Sequence, residues 1–178
     1  MGQLGFTQAV NQAGKHDAVN AGTQSPVDPY MNHLHQHGLA QVHADDYHRR
    51  GKILREGAIG PDLKIDATPS PFDSDHHTDD FCGRAARKFL QDWAVSEPWH
   101  LWVNFPGPHE PYDPTVAQLA VYDGVDFPLP VQPGPVDNDH QAIRRAYAAM
   151  ITGIDDWVGK LVAEIERRGE MENTYIIF

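Results

Sequence analysis

Apolar positions along this chain fall into two periods. In "SPVDPYMNHLHQHGLAQVHADDYHRRG", Asp28 suits an N-cap, Pro29 the first helical position and Gly38 a stop. These signals predict a helix from Asp28 to Gly38, followed by a second over roughly Leu39 to Arg50. Arg49 and Arg50 suit the negative end of that second helix's dipole. In "HHTDDFCGRAARKFLQDWAVSEPW", Phe81, Ala85, Phe89 and Trp93 stand four apart on one helical face, with Thr78 or Asp79 as the cap. From Asn138 to Gly169 the helical period runs unbroken. Its stripe is Tyr147, Met150, Ile151, Ile154, Val158, Leu161, Val162 and Ile165, and Gly169 is placed to end it. Two short runs differ. "WHLWVNF" and "NTYIIF" have the length and the aromatic and β-branched content of buried strands.

Helix, strand, helix, strand predicts an α/β fold with a mostly parallel sheet. Two strands are too few to form a sheet core, and the second lies at the end of the chain. The expectation is therefore the central part of a single larger domain, truncated at both ends. Residues 22–74 would be an insert or loop-rich region, and 78–178 the helix–strand–helix–strand core. No internal repeat is visible. The prolines and glycines gather in connections such as "DATPSPFDSD", "FPGPHEPYDP" and "FPLPVQPGPVDND". Long Pro-rich connections in a domain are often functional loops.

Composition narrows the partners. A net charge of −11 opposes nucleic acid, whose phosphates need clustered Lys and Arg, and it opposes an anionic membrane surface. No run approaches the length of a membrane span. The opening "MGQLGFTQAV" lacks the basic start and apolar stretch of a secretory leader, which leans towards the cytoplasm. The single cysteine excludes an internal disulfide framework and a four-cysteine zinc site. Oligomeric state is left open.

Histidine is frequent, with 11 copies, so each cluster of histidines has to be weighed as a site. His33 and His37 share a helix face at i, i+4, the spacing of a zinc pair. The run "HLHQH" lacks the glutamate of a zinc-protease helix, so the reading is partly exposed helix histidines. His76 and His77, just before a helix, read as surface residues. The pairs Asp45–Asp46, Asp79–Asp80 and Asp155–Asp156 fall in or at the start of helices. Neighbours there diverge by about 100°, so they read as solvated faces and dipole partners, not metal ligands. Cys82 lies beside an apolar stripe and reads as structural. In "GKHD", Lys15 and His16 follow a glycine and could hold an anion. His109 differs from all of these. It follows a predicted strand, where open α/β sheets place their sites, and Pro106, Pro108 and Pro111 stiffen the loop around it. Such an imidazole could hydrogen-bond an anion or protonate a departing oxygen. It could equally stack on Trp102 or Tyr112.

"PWHLWVNFPGPHEPYDP" strongly resembles the strand and loop of the sulfatase family, in the alkaline-phosphatase-like superfamily: an aromatic-rich strand, then Pro-His-x-Pro-Tyr. In order along the chain, "DPYMNHLHQHGL", "FCGRAARKFLQDW" and "RRAYAAMITGIDDWVGKLVAEIERRGEMENTYIIF" are similar to further family segments. The similarity spans about residues 5 to 178 and is most specific in the last hundred. It implies a three-layer α/β sandwich and a metal-dependent hydrolase of small-molecule sulfate esters. It also implies a calcium ion and a formylglycine nucleophile made from Cys or Ser in a Cys/Ser-x-Pro-Ser/Ala-Arg motif. His109 matches the family's sulfate-contacting histidine, which implies contact with the ester oxygen and general-acid work. "GKHD" resembles the family's Gly-Lys-x-His with the histidine one place early, which implies substrate binding by Lys15 and His16.

The departures matter as much. "CGRAAR" has neither the Pro nor the Ser of the nucleophile motif, so Cys82 is not the aldehyde precursor. The Ser-Asp-His/Asn-Gly metal segment would follow "YIIF", where the chain stops. The nucleophile and the metal ligands are thus expected outside this chain, which alone should be inactive. Two rivals stand beside this reading. One is a phosphodiesterase or phosphonate monoester hydrolase of the same superfamily. The other is a non-catalytic, His-rich acidic binding module.

Overall fold

Local signals place the helices. The computed structural model describes residues 5–56, 65–95, 97–129, 131 and 139–178, with backbone alone for 16, 52–56 and 139. A short α1, Lys15–Asn20, precedes α2, Pro29–Gln36. The α2 N-cap Asp28 accepts from Met31 N at 2.9 Å, and its other oxygen accepts from Ala13 N at 2.7 Å. The cap therefore also anchors the chain ahead of α1. Gly38, with φ of +72°, lets the chain turn out of α2. α3, Ala40–Glu56, runs about a turn and a half beyond the expected Arg50. α4 spans Thr78–Asp92, α5 Val116–Ala120 and α6 Asp139–Arg167. A reciprocal capping box between Thr115 and Gln118 starts α5. Residues 57–64 of the expected insert, and Asn138, lie outside the described residues.

The expected α/β sandwich with a mostly parallel sheet is overturned: the described residues hold helices and no strand or sheet. A strand exists only through ladder hydrogen bonds to a neighbour. Neither apolar run, 99–105 nor 174–178, pairs its backbone with another segment among the described residues, apart from the Thr174 N–H that closes the preceding turn. Trp102, Tyr175, Ile177 and Phe178 are instead exposed. β-like composition marked the runs as pairing-competent but could not supply a partner.

The helices pack as two groups. Tyr30, Met31 and Leu34 of α2 bury themselves with Ala18, Ala40 and Phe72. Tyr30 also meets Phe81 of α4 with ring centroids 5.6 Å apart, which joins this group to the next. In the second group α4 packs on α6. A Cβ at Gly83 would overlap the Trp157 ring, so only glycine lets the indole lie this close to α4. Trp157 Nε1 then donates to Asp80 Oδ1 at 2.7 Å. Arg168 donates to the carbonyls of Leu90 and Trp93, closing the C-terminus of α4. Buried Glu164 accepts from Arg167, Gln91 and Arg87, which hold its carboxyl down at about 2.

The buried faces are rotated from the expected stripes. In α6, Ala146, Ala149, Met150, Trp157 and Ile165 are buried, whereas Tyr147 and Ile151 are exposed. In α4, Gly83, Ala86 and Leu90 are buried, and Phe81, Ala85, Phe89 and Trp93 are half-buried. Gly83 leaves room for the Trp157 ring to approach α4 closely. That approach, more than apolarity, selects the packed face.

His43 gives this core an acid sensitivity. It is buried between Tyr30 and Phe72, with Nε2 unpartnered among the described residues. Burial pushes its pKa down to about 4; Lys15 and His77 add to this, and Asp113 and Asp46 oppose it. Because the folded value is depressed, the stabilisation is complete above about pH 6.5 and is lost as pH falls towards 4. The loss amounts to roughly 3 kcal/mol. Urea denaturation at pH 7 and pH 4.5 should show a smaller drop for His43→Phe than for the native chain. Equal drops would remove His43 from the acid response.

Candidate active site

The loop from Pro106 to Pro114 is held from below by a buried polar cluster. Asp79, in the first turn of α4, accepts from Gly107 N at 2.7 Å, and a Cβ on Gly107 would overlap that carboxylate. His77 is the α4 N-cap, and its Nδ1 faces Asp79 N at 3.4 Å. Its Nε2 therefore carries the hydrogen, donated to Asp113 O at 3.0 Å. The Lys15 ammonium reaches Asp113 Oδ1, Pro111 O at 2.8 Å and His109 O at 3.3 Å. Three acceptors use its three hydrogens. Lys15 thus binds two carbonyls of the loop that carries His109.

Sequence reasoning singled out Lys15 and His109, and the structure brings them together through the backbone of that loop. The His16 side chain lies outside the described residues. Cys82 faces elsewhere, its Sγ donating to Asn104 O at 3.4 Å. His77, Asp79 and Asp80 were expected on solvated surfaces, yet all are buried. Burial, the leading cause, holds the Asp79 carboxyl above its ordinary range, while His77, Lys15 and the Gly107 N–H pull it down. Asp113 was missed. Its signal was the acid in "PYDP" at a distance from "GKHD", visible only as opposite charges needing partners.

His109 itself is 74% exposed at the side chain. Its Nδ1 lies 2.8 Å from Glu110 O, and a carbonyl only accepts, so Nδ1 carries the hydrogen. In the neutral ring Nε2 then carries the lone pair. The Glu110 carboxylate lies 3.5 Å from Nδ1, a ready counter-charge for an imidazolium. His109 borders a cavity of about 550 Å³ lined also by Lys15, Tyr47, Arg50, Asn104 and Phe105. Both cations there are committed. Lys15 faces Asp113, and Arg50 donates to Asp46 Oδ2 at 2.7 Å and to the carbonyls of Thr68 and Pro69.

Calcium takes six to eight oxygens, several of them carboxylates that converge on one point. The carboxylates present do not fit it. Asp113 is paired with Lys15, both Asp28 oxygens accept backbone N–H groups, and Asp79 is spent on Gly107. Among the described residues no three carboxylates come together. Cys82 stands in "CGRAAR", without the motif of a nucleophile precursor. Burial first, and then Asp79, push its thiol up to about 12 despite the Asn104 contact.

The family model for sulfatases matches residues 5–178, and the chain belongs to the sulfatase family. Membership places it with the sulfatase-type hydrolases. No curated protein matches the chain. Among the described residues no helix is long and apolar enough to cross a membrane.

Proposed function

We propose that this chain supplies the leaving-group side of an active site that hydrolyses small-molecule sulfate esters. The observation that supports it is His109: an exposed imidazole on a loop pinned at two carbonyls, with Nδ1 occupied and the residue bordering a cavity. In sulfate-ester hydrolysis the S–O bond to the alcohol breaks, and the departing oxygen gathers negative charge. His109, protonated, donates from Nε2 to that oxygen and leaves it as the free alcohol. Lys15 acts as a positioning residue, since its hydrogens hold the loop in place.

We assign the family's formylglycine nucleophile and its metal ligands to residues outside these 178. The sequence contains no Cys/Ser-x-Pro-Ser/Ala-Arg motif, and the carboxylates described above are already engaged. The chain would then be one part of a larger sulfatase domain. The enzyme that carries it is expected to turn over an aryl sulfate and to prefer it to the matching aryl phosphate monoester, phosphodiester and phosphonate. Preference for a phosphorus ester would move the assignment to the sibling chemistry. Turnover by the 178 residues alone would show that the nucleophile lies within them.

A further inference from the structure

A second cluster of chemistry-bearing side chains lies away from the His109 cavity. His33 projects from α2 and His37 from its C-cap, and His76 comes from the turn before α4; one ring nitrogen from each lies within 4.8 Å of the other two. None of the three lines the cavity beside His109. His33 Nε2 and His76 Nδ1 are 3.2 Å apart. Two nitrogens on a tetrahedral zinc at 2.0–2.1 Å sit about 3.3 Å apart, so this pair already has the required spacing.

The other ring position of His37 is occupied in the way a ligating histidine needs. His37 Nδ1 lies 2.7 Å from His33 O, so it carries the hydrogen and leaves the lone pair on Nε2. The turn bearing His76 is fixed from two sides. Buried Tyr30 donates to His76 O at 2.9 Å, and Arg84 donates to Ser74 O and Asp75 O, both at 2.7 Å. The Phe81 ring packs 5.4 Å from that of His33 and gives the site an apolar floor. His37 is exposed and the other two are half-buried, which leaves the approach open.

We propose that His33, His37 and His76 form a three-histidine site for zinc. Three neutral imidazoles suit a borderline cation better than calcium or magnesium, which take oxygen ligands. They leave the fourth tetrahedral position to water or an exogenous ligand. A bound ion would staple α2 to the turn that starts α4. The site is therefore a local cross-link between the two helical groups, independent of the chemistry at His109.

The test is a titration of the purified 178-residue chain, stripped with chelator, with zinc chloride alone. Calorimetry should give one equivalent bound. The thermal midpoint should rise by roughly 5–10 °C at a hundredfold excess over Kd. Cobalt(II) should give the visible absorption of a tetrahedral site. His33→Ala, His37→Ala and His76→Ala should each weaken binding by about a hundredfold or more. His35→Ala should leave it unchanged, because His35 sits on the same helix but hydrogen-bonds Thr23 O instead. His37 is exposed, so its variant remains folded and interpretable even if His33→Ala does not. No binding by the folded native chain, or an affinity untouched by His37→Ala and His76→Ala, would overturn the site.

Discussion

His109→Ala is expected to lower turnover of an alkyl sulfate, whose alcohol needs a proton to leave, by about ten- to ten-thousand-fold in the enzyme that carries this chain. The effect should fall on kcat more than on KM, because proton donation to the leaving oxygen matters in the transition state and little in the bound ester. The side chain is 74% exposed, so its removal costs the fold little, and circular dichroism and the melting midpoint should stay near native. His109→Asn keeps a donor but cannot release a proton, and it should behave like the alanine variant. A rate unchanged by either substitution would remove His109 from the reaction.

The second large effect concerns Lys15. Lys15→Met is expected to destabilise the chain by about 3–5 kcal/mol, since it leaves the Asp113 carboxylate buried without its partner. That is a large share of the roughly 5–15 kcal/mol that holds a domain together. Adding Asp113→Leu should recover much of the loss, because it removes the orphaned charge. Urea denaturation of the two single variants and the double variant measures the coupling. A cost below about 1 kcal/mol for Lys15→Met would point instead to an ammonium held for substrate. In that case KM for the sulfate ester should rise while stability holds.

The two residues differ in how far the sequence foretold them. His109 stood out because prolines, a strand-like run and a family pattern converge on it. Lys15 stood out as a cation after a glycine and through an imperfect likeness of "GKHD" to the family's Gly-Lys-x-His. Its positioning work depends on carbonyls 94 and 96 residues away, and no local pattern encodes those. Helix starts were legible wherever a single cap decides them, as at Asp28 with Pro29. The capping box of Thr115 and Gln118 was equally local, but its helix is five residues long and buries nothing, so no apolar period announced it.

Packed faces were less legible. The 3.6-residue period located α4 and α6, but Gly83 and Trp157 decide how far α6 is rotated, and that is a fit of shapes between distant positions. One acid pair of the three misled for a related reason. Asp79 and Asp80 look solvated as neighbours on one helix, yet each has a private buried donor, Gly107 N and Trp157 Nε1. The sheet was misjudged because strand composition is local and strand pairing is not.

Varying the leaving group tests the role of His109 most directly. Native enzyme and His109→Ala would be compared on a series of sulfate esters, from nitrophenol, which departs readily as an anion, to simple alkyl alcohols, which need a proton to leave. If His109 donates that proton, the ratio of native to variant kcat/KM should be small for the nitrophenyl ester and climb steadily with leaving-group pKa. A ratio that stays constant across the series would contradict proton donation by His109.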